Sequence, residues 1–154
     1  MKKNFLLGCA LSSGIIFSAC TSTPPEVQVV QANNLSLLQG KAWILSQIGQ
    51  QPITYAQNAN TATIEFSSSE ARFSGSDSCN RIMGSYQADN LNNISLGQIA
   101  STEMACLSNN GEIEQAYKQA LQHVAKYTVS HQQLVLIDAN GNALVTFISP
   151  IQPR

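Results

Sequence analysis

The chain holds 154 residues, 44% hydrophobic and 11% charged, a composition that suits one globular domain of ordinary size. Its 8 basic and 9 acidic residues give a formal net charge of −1 at pH 7 and form no basic cluster. Nucleic acid is thereby set aside as a partner, because phosphate neutralisation needs grouped Lys and Arg.

Met1-Lys2-Lys3-Asn4 is a short positive segment, and an apolar run from Phe5 to Phe17 follows it. That run falls short of the ~20 residues a spanning helix needs and reads as the core of a secretory signal. Phe17-Ser18-Ala19-Cys20 then has small residues before a cysteine, as a bacterial lipobox does. Residues 1–19 are therefore expected to leave as a lipoprotein signal peptide, with Cys20 the lipidation site. Several acyl chains on one cysteine anchor a protein stably, where a single chain does not. Thr21 after Cys20, in place of an aspartate, favours the outer membrane, with the domain facing the periplasm. Cleavage would remove Lys2 and Lys3 and leave six basic against nine acidic residues, a net charge of −3. Residues 20–34, with Thr21-Ser22-Thr23-Pro24-Pro25, read as lipidated cysteine plus flexible tether. Residues 35–149 form the domain.

Ala42-Trp43-Ile44-Leu45 begins the first strand, with Trp43 and Leu45 on one face, and Gly49-Gln50-Gln51-Pro52 turns the chain. Ala62, Ile64 and Phe66 alternate with Thr63 and Glu65, the period of a half-buried strand. Ser67-Ser68-Ser69 turns into Ala71-Arg72-Phe73. Tyr86 and Ala88 lie on a further strand, and Asn90 to Asn93 turns into Ile94-Ser95-Leu96. Asn109 can cap a helix, with Glu112 three residues on, as in a capping box. Ile113, Ala116, Tyr117, Ala120, Leu121 and Val124 then form one apolar stripe, predicting a helix over 112–126. Glu114 and Lys118 make an i,i+4 pair worth ~0.3 kcal/mol. Tyr127-Thr128-Val129-Ser130 is a strand. Leu134-Val135-Leu136-Ile137, a turn at 138–142, and Leu144-Val145-Thr146-Phe147 make a hairpin apolar on both faces, hence central or covered. The fold class is α+β: a strongly curved antiparallel sheet, open or closed into a small barrel, with one amphipathic helix packed on it. Closure is favoured because it removes exposed edges.

The most specific stretch is Phe73-Ser74-Gly75-Ser76-Asp77-Ser78-Cys79-Asn80-Arg81-Ile82-Met83-Gly84-Ser85-Tyr86, with β-formers at its ends and turn residues in its middle. Thr102-Glu103-Met104-Ala105-Cys106 follows it. Gly75, Cys79, Asn80, Gly84 and Tyr86, with Thr102, Met104 and Cys106, resemble the motif of the META domain family of HslJ-like bacterial lipoproteins. The resemblance extends from Leu38 to about Ile148. It departs from the family at Asp77-Ser78, where small or apolar residues are usual. What it implies is a heat-shock-linked envelope lipoprotein without established enzymatic chemistry.

Of the four cysteines, Cys9 would leave with the signal and Cys20 would be acylated, so Cys79 and Cys106 remain as one pair. Export to an oxidising compartment favours a disulfide between them. In the chain-entropy model the 79–106 loop would contribute ~3.5 kcal/mol. The competing state is two reduced cysteines acting as small core hydrophobes.

A catalytic reading would pair Cys79 or Ser78 with His123 or His131. No nucleophile motif surrounds Cys79, and both histidines read as surface residues, so no catalytic residue and no enzyme is expected. Cys79, Cys106 and a histidine match no zinc spacing, and Glu103, Glu112 and Glu114 form no calcium loop, so neither metal nor cofactor is expected. Asn80 is expected to shape the turn by bonding backbone groups; Arg81 has the chemistry to read a carboxylate or phosphate on a partner, but the commoner case, an exposed loop arginine, is the expectation. Two functions remain. One is an envelope lipoprotein whose non-catalytic domain supports stress tolerance by binding an envelope protein or small ligand, or structurally. The other is a periplasm-facing inhibitor of a hydrolase such as lysozyme or a protease, with residues 74–81 as its plug.

Overall fold

The computed structural model of the chain describes residues 33–55, 60–104 and 111–150. The signal segment, Cys20 and nearly all of the tether lie outside these, as do Asn109, the expected helix cap, and Cys106. The elements in order are α1 Asn34–Leu38, β1 Ala42–Ile48, β2 Gln51–Pro52, β3 Ala62–Ser67, β4 Arg72–Asp77, β5 Arg81–Ala88 and β6 Ile94–Leu96. Then come β7 Ala100–Ser101, α2 Gly111–Leu121, β8 Lys126–Val129, β9 Gln133–Ile137 and β10 Ala143–Ile148.

Eight of the strands run antiparallel in the order β6-β5-β4-β3-β1-β10-β9-β8, with β2 beside β1 and β7 beside β5. The two ends of this sheet meet. Tyr127 N donates to Asn92 O at 2.9 Å and Ile94 N to Ala125 O at 3.1 Å, and Asn93 bridges Lys126. The sheet is thus nearly closed into a barrel, the size at which side chains alone fill the interior. Alternation decides what fills it. Trp43 and Leu45, Ala62, Ile64 and Phe66, and Leu134 and Leu136 all point inward and are buried. The β9–β10 hairpin lies inside the strand order, as its apolar character predicts, and Val145, Thr146 and Phe147 are buried in succession.

The two helices sit toward opposite ends of β3. Near Ser67, α1 buries Leu38, whose carbonyl accepts the Trp43 indole N–H at 3.0 Å, and Gly40 N donates to Phe66 O at 3.3 Å. This one-turn helix takes in Asn34, which the sequence places at the end of the tether, and is capped by the Asn33 side chain. Near Thr63, α2 buries Tyr117, Ala120 and Leu121. The Tyr117 hydroxyl donates to Thr63 O at 3.3 Å, and its ring meets Phe147 edge-on at 6.0 Å.

The helix is shorter than its stripe predicts. Gln122 N and His123 N bond back three residues, to Gln119 and Ala120 carbonyls, and so tighten and end it. Val124 still packs against the core, but from extended chain, and Lys126 opens β8 instead of closing the helix. Among the described residues no helix is long and apolar enough to cross a membrane.

Candidate functional site

The 77–80 turn joins β4 to β5 and is closed by Asp77 N donating to Asn80 O at 3.0 Å. Its two central residues are Ser78 and Cys79, and only Ser78 has a positive φ, of 82°. A positive φ at the first central residue of a two-residue hairpin loop is a conformation that normally falls to glycine. The serine is held there by its flanks. Asp77 Oδ1 accepts from Cys79 N at 3.1 Å and from Asn80 N at 2.6 Å, an Asx turn that aligns both amides. Ser78 N donates to Ser76 Oγ at 3.1 Å. Asp77, Ser78 and Asn80 are all buried.

Asn80 joins three segments. Its Oδ1 accepts from Met104 N at 2.7 Å and from Thr102 Oγ1 at 3.1 Å. Its Nδ2 donates to Glu114 Oε1 on α2 at 3.2 Å. Thr102 closes the junction: its Oγ1 accepts from Arg81 N and its amide donates to Arg81 O, both at 3.0 Å. A single buried carboxamide therefore ties the hairpin turn, the chain after β7 and the helix together. The sequence expectation that Asn80 bonds backbone is met at Met104, across the fold. Within the turn that work falls to Asp77.

Lys118 completes the node. Its ammonium lies 2.6 Å from Glu114 Oε1 and 3.7 Å from Asp77 Oδ2. The Glu114 hydrogen bond raises the Lys118 pKa above its ordinary value, with Asp77 a smaller contributor. Burial pushes the neighbouring Tyr117 phenol well up, so it stays a neutral donor to Thr63. Asp77 Oδ2 and Ser78 Oγ have no hydrogen-bond partner, although both are buried. Such groups are uncommon in folded proteins, and here they adjoin a strained φ.

The remaining motif residues serve packing. Gly75 faces Ile64 across the β3–β4 pair, and a Cβ there would clash with the Thr63 carbonyl. Gly84 lets the Phe73 ring lie over the strand, with the place of a Cβ only 2.7 Å from the ring. Tyr86 stacks edge-on against Phe66 at 4.9 Å, donates to Ser67 O at 2.9 Å and accepts from Gln39 Nε2 at 2.7 Å. Met104 contributes its backbone, and its side chain is 60% exposed. Cys79 is disulfide-bonded. The cysteine expected opposite it, Cys106, lies outside the described residues, as does Cys20.

His123 and His131 are exposed, one in the turn after α2 and one between β8 and β9, and neither side chain bonds to the node. Among the described residues no group of three or more His, Cys, Asp or Glu side chains is placed to hold a metal. Sequence reasoning read Asp77 as one of the turn residues of this stretch and as a departure from the family motif, and did not connect it to Lys118. An aspartate three residues before an asparagine was the available local signal for the turn. Nothing in sequence spacing marks the ion pair.

No curated protein matches the chain. Solved structures do. An NMR structure of a protein from Burkholderia xenovorans is 32% identical, with a TM-score of 0.57, covering 75% of this chain and 86% of that one. A crystal structure of a DUF4847 family protein from Bacteroides vulgatus is 14% identical, with a TM-score of 0.56 over 77% of this chain and 98% of that one, and shares the fold alone. The family model described as META domain matches residues 36–150. With that match covering most of its length, the chain belongs to the META domain family.

Proposed function

We propose that the chain is an HslJ-like envelope lipoprotein, anchored in the outer membrane through Cys20, whose META domain supports stress tolerance by binding or structurally, and not by catalysis. The observation that carries the non-catalytic part is the use of the motif's polar atoms. Asn80 and Tyr86 bond inside the fold, and Cys79 is held in a disulfide, so the motif acts as a staple. A disulfide also suits an exported domain, because thiols close and stay closed in oxidising compartments. We assign Cys106 as the partner of Cys79, on the cysteine count. The inhibitor reading loses support at its plug: the 77–80 turn has two central residues, and Asp77, Ser78 and Asn80 are buried, so it does not protrude into a cleft.

The test is complementation. A strain lacking the gene is grown at elevated temperature and supplied with wild type or with Cys20→Ala, and the acyl groups on the protein are measured by mass spectrometry. The proposal expects acylated wild type in the outer-membrane fraction, and rescue that Cys20→Ala does not give. Unacylated wild-type protein, or equal growth of all strains, contradicts it.

A further inference from the structure

On the outer face of β3, β4 and β5, alternation turns Thr63, Glu65, Ser74, Ser76 and Arg81 toward solvent. These residues share one shallow hollow, bounded on the β1 side by Ala42. The register sets its layout. Glu65 pairs with Ala42 and Ser74, while Thr63 pairs with Ser76, which pairs with Arg81. The floor is small and hydroxylic, so the two long charged side chains stand at opposite corners above it. From strand spacing and rise, the Glu65 and Arg81 Cα atoms are roughly 12 Å apart.

Neither charge is used by the fold. Among the described residues the ion pairs are those of Lys118 with Glu114 and Asp77, and neither the Glu65 carboxylate nor the Arg81 guanidinium takes a hydrogen bond or ion pair. The Thr63 and Ser74 hydroxyls bond no other residue either. The backbone beneath is fully committed to the β3–β4 and β4–β5 ladders, so a ligand is met by side chains alone. The Asn80 node and the Cys79 disulfide border the hollow and hold Arg81 at its corner: Arg81 N and O both bond Thr102.

We infer that this hollow binds a short peptide with both termini free, its carboxylate on Arg81 and its ammonium on Glu65, over the hydroxyl floor of Thr63, Ser74 and Ser76. Arginine matches a carboxylate with two parallel N–H donors, and a glutamate at the far corner accepts from an ammonium. An extended tripeptide spans about 10 Å and, with a contact of about 3 Å at each end, needs roughly 16 Å between the charged groups, which the two long side chains give by leaning outward from their Cα atoms. A sugar would use the hydroxyls but neither charge, and a simple anion would be repelled by Glu65. The inference rests on the reading of the domain as a binding module and names the ligand class. It depends neither on the anchor nor on the stress role.

Full-length protein in detergent, labelled with 15N, is titrated with trialanine, N-acetyl-trialanine and trialanine amide to about 10 mM, the range of weak exposed sites. The inference expects saturable amide shifts at Thr63, Glu65, Ser74, Ser76 and Arg81 with trialanine. Blocking either terminus should weaken binding about fivefold, the weight of one exposed charge pair. Arg81→Gln should erase the preference for the free carboxylate while keeping that for the free amine, and Glu65→Gln should do the converse. Equal shifts from all three peptides, shifts elsewhere only, or none at all overturn it. Such a failure leaves rescue by the acylated protein in the deletion strain untouched, so the two readings fail separately.

Discussion

Asn80→Ala removes the carboxamide that joins the β4–β5 turn, the segment after β7 and α2. Three hydrogen bonds disappear, to Met104 N, Thr102 Oγ1 and Glu114 Oε1. The two neutral ones contribute about 1 kcal/mol each and the one to a carboxylate about 1.5 kcal/mol. Met104 is exposed and its amide can turn to water, which recovers part of the total. The expected loss is about 3 kcal/mol, a large share of the ~5–15 kcal/mol a domain has. In urea, with a slope of about 1–3 kcal/mol/M, it should lower the unfolding midpoint by about 1–3 M with that slope unchanged. Asn80→Asp refines the test. It keeps the acceptor for Met104 and Thr102 but sets a second carboxylate beside Glu114, at the position of a 3.2 Å contact. Relative to wild type, its deficit should shrink as pH falls through the carboxylate range. A loss below about 1 kcal/mol for Asn80→Ala, or a pH-independent deficit for Asn80→Asp, refutes the staple.

Leu121→Ala, in the buried stripe of α2, should cost about 2–5 kcal/mol, whereas Gln119→Ala on the exposed face should change stability by less than about 0.5 kcal/mol. Equal midpoints for the two would rule out the face assignment. Ser78→Gly relieves a positive φ and removes a buried, unpartnered hydroxyl, so it should stabilise by about 1 kcal/mol, while Ser78→Ala keeps the strain and gains less. A destabilised glycine variant would contradict the turn. Asp89 and Asp138 each cap a five-residue turn, and the side chains of Asn93 and Asn142 are the first cause lowering their pKa. A folded pKa below the unfolded one means stability that is present above the ordinary carboxylate range and lost as pH falls through the lowered folded value. Carboxyl NMR titration should place both below ordinary aspartates, and Asn142→Ala should return Asp138 upward; ordinary values in the wild type would count against it.

What the sequence disclosed divides by the range of the interactions. The strands were legible because Trp43 and Leu45, and Ala62, Ile64 and Phe66, alternate in and out, and alternation is local. The stripe from Ile113 to Leu121 was legible for the same reason at helical period. Val124 fits that period too, yet the helix ends before it, because the chain must reach β8 and bury Tyr127 in the barrel. The one-turn α1 carried no periodic signal: its stability comes from burying Leu38 and receiving the Trp43 indole, contacts made by the fold. The turn chemistry of Asp77 and Asn80 could be read, but its link to Lys118 and Glu114 could not. Those residues meet only once α2 lies over the β4–β5 end of the barrel, and no spacing along the chain encodes that.

Cys79 is where staple and reactive site differ most sharply, and thiol mapping on unreduced full-length protein tests it directly. The protein is unfolded without reductant, alkylated, digested and analysed by mass spectrometry. The account predicts that Cys79 escapes alkylation and appears in a peptide cross-linked to the one bearing Cys106. Alkylated Cys79 and Cys106 in separate peptides would contradict it and return the motif to the class of candidate thiol chemistry.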